Sequence, residues 1–195
     1  MELLYPSYRV YTYPRPSIDR PGIDALQKGE MVPVVNEAGE VTGRMTRVFA
    51  HEGDRMLHPV VHLQLLDRLG RIYLQKRSAS RKTHPGKWDT AVGGHVSFGE
   101  YLKDALYREA EEELGLTLFN PIFLTSYIYE SDNERELVVV YASIGSPALK
   151  PNPDEVEEGK WWEIEEIEKY LGKSVFTPNF EDEYGRVKDT LTALL

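Results

Sequence analysis

Glu109, Glu112 and Glu113 stand three and four positions apart in the run Arg108-Glu109-Ala110-Glu111-Glu112-Glu113-Leu114. On a helix advancing ~100° per residue, that spacing sets three carboxylates within an arc of about 100°. The same wheel puts Glu113 only ~20° from Leu106. Leu106 belongs to a stripe with Leu102, Ala110 and Leu114, recurring every four residues and suited to a core. The acids therefore border the buried stripe, while Asp104 and Glu111 point to the solvated side. Like charges at these spacings repel. They also crowd the C-terminal end of the helix, where the macrodipole disfavours anions. A charged surface helix partnered by Arg108 and Lys103 is the ordinary explanation. A hard divalent cation with oxygen ligands is the one that gives the clustering a purpose.

Upstream, Gly94 is followed after five residues by Glu100, and after seven more by Arg108; Gly115 and Leu116 close the series. The whole resembles the Nudix box: glycine, five residues, glutamate, seven residues, then Arg-Glu-hydrophobe-x-Glu-Glu-x-Gly-hydrophobe. Every fixed position matches, with Ala110 small for the first hydrophobe. The strands before the box, the Pro85-Gly86-Lys87-Trp88 loop and the Trp161-Trp162 region extend the likeness over roughly residues 60–195.

The resemblance implies an α/β (α+β) fold, an α/β/α sandwich with a mixed β-sheet. It implies hydrolysis of a phosphoanhydride bond in a diphosphate linked to some moiety X, such as a nucleoside di- or triphosphate. Glu109, Glu112 and Glu113 would ligate Mg²⁺ or Mn²⁺. Glu112, Glu113 and Arg108 would be the catalytic residues, with Arg108 orienting the acids by ion pairing; which glutamate is the base stays open. Gly94, Glu100 and Gly115 are the structural positions of the box. The physical logic agrees, because metal ions invert the local sign, clamp phosphates and acidify the attacking water.

His51, His58, His95, Glu134 and Glu136 form a looser constellation. Singly they read as surface histidines and an edge strand's outward acids. Together they resemble the metal ligands of type I isopentenyl-diphosphate isomerases, which share the Nudix-like fold. In that family an essential cysteine stands two positions before the third histidine. Here that position is Gly93, and the chain has no cysteine. The intact box and the missing thiol favour a hydrolase of the isomerase-like branch. An isomerase-like enzyme and a non-catalytic Nudix-fold binding domain are the alternatives.

Composition narrows the classes further. The absence of cysteine excludes a disulfide scaffold and thiolate metal sites. A net charge of −9 argues against a nucleic-acid partner. No apolar run is long enough for a membrane span or a leader, so the expected location is cytoplasmic and the partner a small-molecule diphosphate. Arg77, at a strand end after Gln75-Lys76, is a candidate substrate-phosphate contact, and Gly93 permits close approach of backbone to phosphate. Trp88, Tyr127, Trp161 and Trp162 read either as stacking groups for a base or as core.

These residues need elements to hold them. A proline- and tyrosine-rich start, read either as a homodimer contact or as packing on the domain, precedes a hairpin at Val32-Pro33-Val34-Val35 and Val41-Thr42-Gly43. Together they make an N-terminal extension, residues 1–49, before a Nudix domain at 50–195. Strands are expected at 62–66 and 71–75 around an Asp67-Arg68-Leu69-Gly70 turn. A short strand at 89–92 should turn at Gly93-Gly94 into a helix over 100–114 ended by Gly115. Further strands fall at 122–129 and 137–144. A loop over 151–160, a helix at 164–171, a turn at 176–180 and a last helix at 181–195 complete the reading.

Overall fold

The computed structural model describes residues 29–52, 55–81 and 83–195. The tyrosine-rich start, with the homodimer contact read into it, lies outside the described residues. β1 (Met31–Val35) and β2 (Val41–Thr46) form the expected hairpin. Its loop is shaped by Asn36, whose Oδ1 accepts from the Ala38 and Glu40 N–H groups at 3.1 and 2.9 Å. The hairpin is tied to the domain. The Val35 N–H donates to Leu57 O at 2.8 Å, and the Phe98 N–H to Met31 O at 2.7 Å. A short helix absent from the sequence reading follows, α1 (Arg47–Glu52).

Every residue of β3 (His58–Leu66) is buried, so the strand is covered on both faces. It pairs in parallel with β8 (Arg135–Ile144), which pairs antiparallel with β7 (Ile122–Glu130). On its other side β3 is shared. Its far end meets β4 (Ile72–Arg77), and Val60 to Leu63 meet β6 (Val92–His95). β4 in turn carries β5 (Trp88–Asp89) and β9 (Val156–Trp162). The result is a mixed seven-stranded sheet.

Alternation along β3 sorts the two cores. Val61, Leu63 and Leu65 pack with Leu102, Leu106, Ala110 and Leu114 of α2 (Leu102–Leu114). Val60 and Leu66 pack with Ile167 of α3 (Ile164–Tyr170) and with Phe180, Tyr184, Val187 and Leu191 of α4 (Pro178–Ala193). Helices thus cover both faces, as the sandwich requires. Gly115 ends α2 in the left-handed region, φ 62°. No helix among the described residues is long and apolar enough to cross a membrane.

Three expectations change. Gly93 and Gly94 lie inside β6, paired with His62 and Val61, not in a turn. The acidic loop ends early, because β9 begins at Val156 and pairs with β4. The 176–180 turn is the start of α4: Pro178 takes the first helical position, and the Thr177 hydroxyl accepts from Phe180 N–H at 3.1 Å.

Candidate active site

Arg108 is the hub of the α2 acids. It forks onto Glu100, Nε to Oε1 at 2.9 Å and Nη2 to Oε2 at 3.0 Å. Its Nη1 reaches Glu109 at 2.7 Å and Glu112 at 3.3 Å, and Nη2 donates to the His95 carbonyl at 2.9 Å. Burial opposes ionisation of Glu100, yet Arg108 and the Ser97 N–H hold its carboxyl below its ordinary range. Glu100 itself precedes α2, clamping the approach to the helix from outside it.

The three acids differ in setting. Glu113 is buried, and its Oε2 accepts from Gln75 Nε2 at 2.9 Å and from the Gly93 N–H at 3.3 Å. Burial, with Glu109 adding to it, pushes the Glu113 carboxyl up to about 8. Glu109 is also buried and also raised, first by burial, although Arg108 pulls the other way. Glu112 is open to solvent, with 54% of its side chain exposed.

Gly94 explains how Glu109 fits. A Cβ added there would overlap the Glu109 side chain. The glycine is required for this close approach, not for a turn. Because Gly94 faces α2, its neighbours Gly93 and His95 face the opposite side of the sheet.

That opposite side carries the second constellation. His58, His95 and Glu136 each present a ligand atom within 4.8 Å of the others. The two rings stack 5.3 Å apart, and His58 Nε2 lies 3.9 Å from Glu136 Oε1. His58 Nδ1 donates to the Met56 carbonyl at 3.0 Å, which leaves Nε2 as the lone-pair nitrogen. Glu134 is half-buried on the β7–β8 turn and lines the adjoining cleft. His51 falls in α1, but its side chain lies outside the described residues. Among the described residues this is the one three-ligand group of its kind, and the α2 acids do not belong to it.

A cleft of about 560 Å³ adjoins this group. It is lined by Gly93, Gly94, His95, Glu134 and Glu136, by Arg77 and Arg81, and by Gln75, the side chain that holds Glu113. Arg77 is anchored to Asp89 at 3.1 Å and to Thr83, through its carbonyl at 3.1 Å and its hydroxyl at 3.0 Å. Arg81 pairs with Glu155 at 3.3 Å. Trp162 and Tyr127 are buried in the α4 core, and Trp161 packs against the α2 core, so none is a free stacking surface.

A polar network that reaches the cleft through His62 and Asn179 escaped the sequence reading. Glu183 of α4 is fully buried and accepts from Gln64 Nε2 and from His62 Nδ1, the latter at 2.6 Å. The Tyr127 hydroxyl is shared between Glu183 at 3.0 Å and Asn179 Oδ1 at 2.8 Å. Glu183 lies 121 positions from His62, and no spacing rule joins residues that far apart. The readable signal was an acid on the apolar stripe of the last helix, between Phe180, Tyr184 and Val187.

The NUDIX domain family model matches residues 56–180. The chain belongs to the Nudix family. An isopentenyl-diphosphate Delta-isomerase of Citrobacter koseri is 31% identical over 159 residues, covering 77% of this chain and 87% of that protein. The MutT protein of Methanosarcina mazei superposes with a TM-score of 0.60 at 26% identity, covering 70% of this chain and 96% of its own. DR0079 of Deinococcus radiodurans shares the fold, with a TM-score of 0.70 at 24% identity over 80% of this chain and 98% of its own.

Within this Nudix frame both ligand sets suit divalent cations. The α2 carboxylates are hard oxygen donors; Glu109 and Glu113 are buried, and Arg108 holds Glu109. The His58, His95 and Glu136 set mixes imidazole and carboxylate, which favours Mn²⁺, Zn²⁺ or iron.

Proposed function

We propose that the chain is a divalent-metal-dependent hydrolase cleaving a phosphoanhydride bond in a small-molecule diphosphate linked to a second moiety, such as a nucleoside di- or triphosphate. One observation carries the reading: all the box acids are retained, and Arg108 gathers Glu100, Glu109 and Glu112 on one guanidinium while Glu113 is buried next to them. Glu109, Glu112 and Glu113 would hold Mg²⁺ or Mn²⁺. Such an ion supplies phosphate neutralisation and a more acidic water. Arg108 restrains Glu109 and Glu112, and Gln75 with the Gly93 N–H fixes the Glu113 carboxylate. Arg77 and Arg81 bring positive charge to the cleft wall for an anionic substrate.

A second reading is isomerisation of a prenyl diphosphate. It is favoured by the His58, His95 and Glu136 group and by the isomerase relatives. Gly93 stands against it, since glycine has no group to transfer a proton where the isomerase pattern carries its thiol.

A phosphate-release screen over nucleoside di- and triphosphates, nucleotide sugars and prenyl diphosphates, with Mg²⁺ and Mn²⁺, separates the two. Metal-dependent release from at least one diphosphate is expected. Silence across the panel, with isopentenyl and dimethylallyl diphosphate interconverting in a proton NMR assay, would transfer the chain to the isomerases.

A further inference from the structure

His62 and Gly93 sit opposite each other on β3 and β6. A Cβ at Gly93 would stand 3.3 Å from Cδ2 and 3.4 Å from Nε2 of His62. The imidazole therefore packs over the space that glycine leaves, and both residues line the cleft. Its Nδ1 lies 2.6 Å from Glu183. A carboxylate only accepts, so Nδ1 carries a proton and Nε2 is the nitrogen beside Gly93. No partner holds that Nε2 among the described residues.

The support behind the ring is unusually complete. Glu183 is fully buried, and its other described partners, Gln64 and Tyr127, are neutral. Among the described residues the imidazole is the only group in contact with Glu183 that can offset its charge. A buried ion pair is a poor way to gain stability, because a hydrophobic pair of similar volume does as well or better. The network instead fixes a ring whose second nitrogen borders the cleft, the relation that orients functional histidines. None of its members belongs to the α2 acids or to the His58, His95 and Glu136 group.

We propose that His62 contacts the substrate, its Nε2–H donating a hydrogen bond to an anionic oxygen of the diphosphate, with Glu183 as the positioning residue that holds the ring. The inference rests on the diphosphate reading of this cleft and adds to it a residue for recognition. Burial by itself would lower the His62 pKa, but Glu183, aided by Asp89 and Glu136, raises it to about 9. The ring then faces the cleft as a cation, and hydrogen bonds to charged groups are the stronger kind. No proton is transferred in this role.

The test is binding, without turnover. The full chain, with and without Mg²⁺, is titrated with methylenediphosphonate, a diphosphate that cannot be hydrolysed. Calorimetry gives the affinity, and ¹⁵N NMR follows the histidine ring nitrogens. The His62 Nε2 resonance is expected to move with saturation. His62→Asn, which keeps a donor for Glu183 near the Nδ1 position and removes Nε2, should weaken binding about tenfold or more. Glu183→Gln should lower the midpoint of the His62 ring titration and weaken binding less, a readout that a purely structural role would not move. An Nε2 resonance unmoved at saturation overturns the proposal, as does unchanged affinity in His62→Asn or no binding by the wild type. Should His62→Asn fail to fold, the wild-type resonance alone decides. Hydrolysis across the diphosphate panel can fail while this contact stands, and the contact can fail while hydrolysis persists.

Discussion

Gly94 and Glu109 share one volume: the glycine on β6 has no Cβ because the Glu109 side chain, reaching back from α2, fills that space. The box glycine and the box glutamate are thus two halves of one packing decision. Gly94→Ala must push Glu109 aside or bend β6. We expect a loss of about 1–3 kcal/mol in stability from overpacking. Hydrolysis should fall on the order of 10²-fold as the carboxylate is misplaced. Thermal melts and initial rates check both, and a Gly94→Ala enzyme with wild-type rate would show that Glu109 need not be where it is.

Arg108→Lys should fail despite keeping the charge. One ammonium cannot fork onto Glu100 while also reaching Glu109, Glu112 and the His95 carbonyl. About 1–3 kcal/mol of stability should be lost with the charge-assisted bonds. The metal concentration for half-activation should rise because the acids lose their common restraint. An activation curve superimposable on wild type would contradict the hub role.

The pH dependence of stability should carry the mark of His62. Its ring titrates at 6.5 when unfolded and about 9 when folded, so the folded state binds the proton more tightly. That stabilisation is complete below pH 6.5 and is lost as pH rises through about 9. Wild-type Tm should therefore fall more steeply between these two values than the Tm of His62→Gln. Parallel melts across the range decide it; equal slopes would mean that the Glu183 pair does not hold the proton.

Much of this was legible in the sequence, and the boundary is physical. The α2 acids were readable because residues three and four apart on one helix are neighbours by geometry, so spacing alone implies proximity. The hairpin, the central strands and the left-handed end at Gly115 were readable for the same local reason. Gly93-Gly94 was misread as a turn because two glycines signal flexibility, whereas here each is a gap that admits a side chain from elsewhere, Glu109 on one face and His62 on the other. His58, His95 and Glu136 converge only because β3 lies between β6 and β8, and the Glu183 contact exists only once α4 packs on the sheet. Such meetings are set by topology, which periodicity does not encode.

The imidazole–carboxylate group should bind a transition metal. Mn²⁺ binding only to the folded chain stabilises it by mass action, by about 2.7 kcal/mol at a hundredfold excess over Kd, and so raises Tm. Part of that shift should disappear in His58→Ala. A shift of full size in that variant would leave the α2 acids as the sole metal site.

Mg²⁺-dependent phosphate release from the best substrate of the panel, compared between wild type and Glu113→Gln at equal Tm, decides whether the α2 acids carry the hydrolysis. The amide keeps an acceptor for Gln75 and for the Gly93 N–H and carries no buried charge, so the fold should survive. The rate should fall by a factor on the order of 10³ or more, because a charge that holds the metal is gone. Full turnover in Glu113→Gln, or in the wild type with EDTA, would contradict it.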